Sequence, residues 1–400
     1  MPQPAREAWA EEALDNSPVV VFVHTLINRA IALRASDIHL EPEDDRYRVR
    51  LRIDGMLHAF EASPPATRER VASRIKVLAR MDIAERRLPQ DGRIPWTAAE
   101  GRPLSLRVSS LPTLLGEKLV LRVLDAGLVP LALDQLGHEA TDLARLEAAL
   151  RRPHGMLLMT GPTGSGKTQS LYACLHRLNA PEVNIATVED PCEIRLPGIH
   201  QVNVNDKPGL GFAQVLRALM RQDPDILMVG EIRDLDTAQV AVAAAQTGHL
   251  VLSTLHTPDA PGALMRLVHM GIPAYNLAGT LELVIAQRLV RLLCPHCRVP
   301  DAAGARGPGL PARSPQGPGP CRPVGCAHCQ QGYRGRTGIF QVMPLSETLQ
   351  DLLLAGAGLQ ALREQARREG VTTLRQAGLL KVAQGLTSME EILACTSDDT

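Results

Sequence analysis

Aromatic residues make up only 2% of this 400-residue chain (4 Phe, 4 Tyr, 2 Trp), and its 43 Lys+Arg balance 43 Asp+Glu, leaving no formal net charge. The first shortage removes the stacking platforms that hold single-stranded nucleic acid, and the second removes the basic footprint of a general nucleic-acid binder. Nucleic acid is therefore not an expected partner. Long apolar runs are missing too. No stretch reaches the roughly 18 apolar residues of a membrane-spanning helix, and the most apolar early segment, Val19 to Leu33, is broken by His24, Asn28 and Arg29. The opening residues Met1 to Asn16 hold Glu7, Glu11, Glu12 and Asp15 and no apolar core, unlike a secretory signal, so a cytoplasmic location is expected. Lysine is scarce as well: positions 76, 118, 167, 207 and 381 hold the five in the chain, against 38 arginines. A lysine inside a motif is correspondingly informative.

What is present is ordinary globular composition, 45% hydrophobic and 22% charged, at a length that suggests two or three domains. Eight cysteines could build a disulfide framework, but five of them (Cys294, Cys297, Cys321, Cys326, Cys329) crowd one region, a pattern that favours metal in a cytosolic chain.

Ser17-Pro18 offers a helix cap and a proline at the first helical position, and Val20, Val23, Ile27 and Ile31 then recur at helical spacing to about Arg34. From Tyr47 the period becomes two, with Tyr47, Val49, Leu51 and Ile53 on one face and Arg46, Arg48, Arg50 and Arg52 on the other, a solvated strand face or a protein contact surface. Asp54-Gly55 turns this strand into a hairpin. A helix from Thr67 to Met81, a loop from Arg86 to Arg93, and strands near Leu104 to Ser110 and Lys118 to Leu124 complete a small mixed domain, 1–125. Residues 126–137, with Gly127, Pro130 and Gly137, have linker character. From Thr141, helices alternate with apolar strands at Gly155 to Met159, Asn184 to Val188, Ile226 to Val229 and His249 to Ser253, which predicts an α/β core with a parallel sheet over 138–292. The cysteine-rich segment 293–340 contains a Gly/Pro-rich stretch between Val299 and Gly325, read as a flexible excursion, and 341–400 returns to helical periodicity.

Gly161-Pro162-Thr163-Gly164-Ser165-Gly166-Lys167-Thr168, with Gln169 next, fits the phosphate-binding loop pattern completely, after an apolar strand and before a helix running to about Leu178. Glycines let backbone N–H groups wrap the phosphates of a nucleotide such as ATP, Lys167 reaches the outer ones, and Thr168 holds magnesium. Glu189, at the end of the second strand, and Glu231, after the third, place carboxylates where open parallel sheets bind ligands. One holds the metal and one orients the attacking water, and the sequence leaves the division open. His256 follows the fourth strand at the same edge, where it can sense phosphate. Cys294-Pro-His-Cys297 and Cys326-Ala-His-Cys329 supply four thiolates at the spacing of a closed structural zinc site, with Cys321, His296 and His328 as possible substitutes for one ligand.

These residues lie in strings that resemble the type II secretion and type IV pilus assembly ATPases (GspE/PulE/PilB-like) of the secretion NTPase superfamily. The strings are Ser36-Asp-Ile-His-Leu-Glu-Pro42, Ile53-Asp-Gly55, Leu88-Pro-Gln-Asp-Gly-Arg93, Gly116-Glu-Lys118, Arg152-Pro-His-Gly155, Val188-Glu-Asp-Pro191, Arg221 to Asp234, Thr247-Gly-His-Leu250, Ser253-Thr-Leu-His256, Ala286-Gln-Arg-Leu289 and the tetracysteine region. The resemblance implies a RecA-like P-loop ATPase core preceded by a PAS-like regulatory domain, with a zinc subdomain and a helical C-terminal subdomain. It implies a hexameric ring on an inner-membrane platform protein, peripheral to that membrane, powering a secretion or pilus apparatus. It also implies that Arg93 and Arg107 from the small domain, and Arg217 and Arg221 from the core, close over the phosphates, and that Glu189, Glu231, Lys167 and His256 take part in hydrolysis. The cysteine pairs point to the assembly branch over the retraction branch. The Ser36 motif starts so early that the extra N-terminal domain of many such proteins is not expected. A non-hydrolysing nucleotide-binding adaptor and a DNA-translocating motor on the same core are the competing readings.

Overall fold

The computed structural model describes residues 17–60, 68–98, 101–124, 131–205, 209–301, 310 and 318–396. The first 16 residues, linker positions 126–130 and more than half of the Gly/Pro-rich stretch (302–309 and 311–317) lie outside them, as does Lys207. The chain divides into two compact units, Met1–Leu128 and Val129–Thr400.

In the first unit, helix α1 (Pro18–Ala32) begins on its proline, although Ser17 makes no side-chain capping bond. Six strands follow, β1 (Asp37–Pro42), β2 (Tyr47–Ile53), β3 (Met56–Ala59), β4 (Gln90–Thr97), β5 (Pro103–Thr113) and β6 (Gly116–Leu124), with α2 (Arg68–Leu78) between β3 and β4. They form an antiparallel sheet in the order β3-β2-β1-β6-β5-β4. Alternation decides which way each strand faces: Ile38, Leu40, Val49, Leu51, Ile94, Leu106, Val108, Leu119 and Leu121 bury one face against Val23, Ile27, Val71 and Ile75 of the two helices. Strand β4 corrects the loop expected to run through Arg93. Only Ile94 and Trp96 mark its apolar face, and Pro95 is tolerated because β4 is an edge strand with no ladder bond to lose on its outer side.

The polar face does not stay open to water as free charge. Arg50 donates to both oxygens of Glu41, at 2.8 and 2.7 Å, Lys118 reaches the same carboxylate at 3.2 Å, and Arg122 donates to Asp37 at 3.0 Å. The arginine alternation of β2 is thus answered by carboxylates on β1 rather than by solvent alone. Beneath the sheet, Lys76 forms a fully buried ion pair with Glu117 and donates to the Glu85 carbonyl at 2.7 Å.

The second unit opens with a 3-10 turn, Leu133–Leu136, whose two leucines are buried, so the end of the expected linker is packed. Helix α3 (Ala140–Leu150) precedes β7 (Gly155–Thr160), α4 (Lys167–Leu178), β8 (Ile185–Glu189), β9 (His200–Asn203), α5 (Phe212–Leu219), β10 (Ile226–Val229), α6 (Leu235–Gln246), β11 (Leu250–Leu255), α7 (Ala260–His269), α8 (Ala274–Ala278) and β12 (Leu281–Leu293). After the short strands β13 (Val299–Pro300) and β14 (Cys321–Arg322) comes β15 (Tyr333–Pro344), followed by α9 (Glu347–Leu354), α10 (Leu359–Arg368), α11 (Leu374–Ala383) and α12 (Met389–Cys395).

The mixed sheet runs β15-β12-β7-β11-β10-β8-β9, parallel except for the β12–β15 pair. Strands β7, β8, β10 and β11 are buried along their whole length, the continuous apolar runs expected of a parallel sheet covered on both faces. Strand β15 modifies the boundaries expected from sequence: Tyr333 onward belongs to this sheet, so the cysteine-rich segment is an excursion between two neighbouring sheet strands. Its glycines and the two arginines of Tyr-Arg-Gly-Arg hid the strand.

Candidate nucleotide site

Four adjacent parallel strands end at one edge of the sheet, and each delivers a piece of the site. Strand β7 runs into the loop 161–166 and α4. Gly161, Gly164 and Gly166 all take positive φ there. A Cβ on Gly161 would lie 2.5 Å from the Gln287 carbonyl oxygen, and one on Gly166 would lie 2.8 Å from Gln287 Nε2, so glycine is required by close approach as well as by φ. Nothing lies within 4 Å of the Cβ position of Gly164, which leaves the loop open on its outer side. Ser165 Oγ is buried without a hydrogen-bond partner among the described residues.

Lys167 is 8% exposed and folds back, Nζ donating to the carbonyls of Gly161 at 2.7 Å and Pro162 at 3.1 Å. Among the described residues no carboxylate lies within ion-pair distance of it. Burial, aided by the Arg288 charge and opposed by Glu231, pulls its pKa down to about 8. A cation so placed favours an incoming anion. Thr168 and Gln169 are half-buried in the first turn of α4.

The two glutamates have different surroundings. Glu189, at the end of β8, is 3% exposed and accepts from the Tyr172 hydroxyl, from Thr187 Oγ1 at 2.6 Å and from Gln201 Nε2 at 3.1 Å. Glu231, just beyond β10, is ion-paired with Arg233, and His256 Nε2 lies 3.3 Å from its other oxygen. Burial pushes its pKa up, but the hydrogen bond and charge of Arg233, with His256, hold it below the usual carboxylate range. Ser253 and Thr254 fix this edge by donating to the carbonyls of Val229 and Gly230, each at 2.8 Å. Gly230 passes so near β8 that a Cβ would sit 3.3 Å from the Val188 carbonyl oxygen.

Lys167, Glu231 and His256 thus gather at one edge with Glu189 behind them. Arg217, on α5, and Arg221, beyond it, are exposed, and Arg221 donates to the Arg217 carbonyl at 2.8 Å. In the first unit, cross-strand register sets Arg93 on β4, Arg107 on β5 and Arg122 on β6 side by side, with Arg107 3.8 Å from Asp91. Sequence reasoning missed Tyr172, Gln201 and Arg233, which orient the glutamates, and Gln287, which accepts from Ser170 Oγ on α4 at 2.8 Å. Gln287 was visible only as part of the Ala286-to-Leu289 string, and Tyr172 carried no sequence pattern.

Away from this edge, the sulfurs of Cys294, Cys297, Cys326 and Cys329 all lie within 4.8 Å of one another. Separations are 3.9 Å for 294–326 and 3.7 Å for both 297–329 and 326–329. A tetrahedral zinc with Zn–S bonds of about 2.3 Å sets its sulfurs about 3.8 Å apart. The donor set fits that ion. Cys321 stands apart, buried with Leu293 and Tyr333, and the rings of His296 and His328 lie beside each other at 5.0 Å.

Among solved structures, the chain shares its fold with the Legionella pneumophila ATPase DotB (TM-score 0.71, 20% identity, covering 93% of this chain and 94% of that one). It shares it also with the pilus retraction motor PilT with bound ADP (TM-score 0.62, 24% identity, covering 94% and 96%). It is 49% identical to the type IV pilus assembly ATPase PilB of Pseudomonas aeruginosa over 393 residues, 97% of this chain and 69% of that protein. It is 46% identical to the type II secretion system protein E of the same organism, over 97% of this chain and 77% of that protein. A family model described as type II/IV secretion system protein matches residues 12–394, and the chain belongs to that family, which includes the type II secretion and type IV pilus assembly ATPases.

Proposed function

We propose that the protein hydrolyses ATP with magnesium to power type II secretion or type IV pilus assembly. The observation that carries this reading is Lys167: a buried ammonium at the end of a glycine loop with only carbonyls for partners among the described residues, at the edge that holds Glu231 and His256. In this reading the loop 161–169 receives the phosphates, and Lys167 leaves its carbonyls for the outer ones. Thr168, with Glu231 or Glu189, would hold magnesium, which when bound neutralises charge on the phosphates. His256 and Arg233 keep Glu231 ionised and aimed, and Glu189 must yield one of its three donors before it can orient water.

Residues 138–292 then act as a RecA-like core and 1–125 as a PAS-like regulatory domain. Arg93, Arg107, Arg217 and Arg221 close over the phosphates within a homo-hexameric ring. The ring would work in the cytoplasm against an inner-membrane platform protein. Among the described residues no helix is long and apolar enough to cross a membrane, so membrane association is assigned to partners.

Steady-state ATPase assays test this. Lys167→Ala and Glu231→Gln are each expected to lower kcat by a factor on the order of 100 or more, because they remove charge placed at the phosphates and the metal. A wild-type hexamer no faster than these variants would leave a nucleotide-binding adaptor as the better reading. The four cysteines would hold a structural zinc joining the loops after β12 and before β15. Elemental analysis of protein purified without chelator is expected to give about one zinc per chain, falling to near zero in Cys329→Ser. Equal metal in both proteins would remove the assignment.

A further inference from the structure

A second cationic site lies in the same unit, outside the nucleotide edge. A cavity of about 240 Å³ is lined by Arg288 of β12, Arg363 and Arg367 of α10, Arg375 of α11, Asp259 and Cys395. Among the described residues, four arginines line it with one carboxylate, and that carboxylate is already committed. Asp259 Oδ1 accepts the backbone N–H of Gly262 at 2.9 Å, capping α7, and Oδ2 accepts Arg363 Nε at 2.7 Å. Arg375 donates to Thr396, to Oγ1 at 2.6 Å and to the carbonyl at 2.8 Å, among its other contacts.

Arg288 carries the argument. It donates to two carbonyls, from Nη1 to Gln287 and from Nη2 to Pro258, each at 2.9 Å, and no carboxylate among the described residues lies within ion-pair distance. A half-buried guanidinium without a counter-charge is costly, and a fork of parallel N–H donors matches phosphate oxygens. The volume is below the roughly 300–1,000 Å³ of sites for drug-sized ligands, which suits an ion the size of phosphate or pyrophosphate.

We propose that this cavity binds a small, multiply charged phosphate-class oxyanion at a site separate from the nucleotide loop. The ligand would bear on that loop through two short connections. Gln287, next in sequence to Arg288, accepts from Ser170 on α4, and Pro258, whose carbonyl Arg288 holds, lies two residues after His256. An anion that takes the Arg288 donors competes with Pro258 for them.

The test uses the full chain carrying Lys167→Ala, so that the nucleotide loop is weakened, with inorganic phosphate and pyrophosphate as calorimetric titrants. One pyrophosphate site per chain is expected, with phosphate weaker. Arg367→Glu, on the exposed face of α10, is expected to weaken pyrophosphate binding at least about tenfold, the loss of one charge-assisted contact, while Arg367→Lys retains most of it. Residual binding at the nucleotide loop would be the same in both chains. A second readout follows Cys395, which lines the cavity: pyrophosphate should slow its alkylation, read by peptide mass spectrometry, in the parent and not in Arg367→Glu. Equal pyrophosphate affinity in the two folded proteins, or Cys395 alkylation indifferent to pyrophosphate, overturns the proposal.

Discussion

Lys76 in the first unit and Lys167 in the second are both buried, and the chain answers them in opposite ways. Lys76 is 0% exposed and meets the Glu117 carboxylate, which also accepts from Ser110 at 2.9 Å, and the Tyr47 hydroxyl donates to the Glu117 carbonyl at 2.7 Å. Lys118 and Lys381 likewise reach carboxylates, Glu41 at 3.2 Å and Glu139 at 2.7 Å. Lys167 alone among the described lysines does not, though it is 8% exposed. Burial of a charge is tolerated where a partner is built in, and where none is built in the site is suited to receive one. The first lysine holds a fold together; the second is the one to which the proposed function assigns phosphate.

The largest effect expected from this contrast is on stability. Lys76→Met should destabilise the first unit by about 3–5 kcal/mol, because it strands Glu117 inside the protein, whereas Lys167→Met should cost less than about 1 kcal/mol or stabilise the chain, since it strands no charge. Denaturant unfolding of each variant measures both, and equal losses would break the comparison. Next in size is a rescue. Lys76→Met combined with Glu117→Leu should recover more than half of the loss of the single variant, because the pair is then replaced by apolar groups; no recovery would mean that the hydrogen bonds to Glu85 and Ser110 carry the stability instead.

The smallest effect is a proton. Lys167 has a pKa pulled to about 8 against an ordinary 10.5, so between those values the unfolded chain binds more protons than the folded one. Stability of the nucleotide-free chain should therefore rise with pH across that window relative to Lys167→Met, the penalty being fully present below about pH 8. A triphosphate restores the charged form, so ATP binding near pH 9 should take up most of a proton, roughly 0.9. Calorimetry in buffers of different ionisation enthalpy reads it directly. Uptake that persists in Lys167→Ala would assign the proton to another group.

What could be read without coordinates was local. The glycine loop, the helix behind it and the strand before it are consecutive in sequence, and the cysteine pairs announce their spacing within four residues each. The alternation of β2 gave its buried face correctly for the same reason. What escaped was contact between distant segments: Tyr172 on Glu189, Gln287 against the loop, Glu41 and Asp37 across from the arginines. Strands β4 and β15 escaped because each draws its strand character from a neighbour in the sheet, β5 or β12, rather than from its own weak apolar period.

The sequence by itself determined that a loop of the phosphate-binding pattern exists, that carboxylates end the neighbouring strands, and that four thiols are available for a metal, because each depends on residue type at short spacing. Only the tertiary structure decided which charges are answered. It buried Glu189 under three donors, tied Glu231 to Arg233 and His256, matched Lys76 with Glu117, and left Lys167 and Arg288 without carboxylates among the described residues. The physical reason is that an ionic partner is chosen in space, across strands and helices as much as 242 residues apart for Lys381 and Glu139, and one-dimensional patterning carries no record of that pairing.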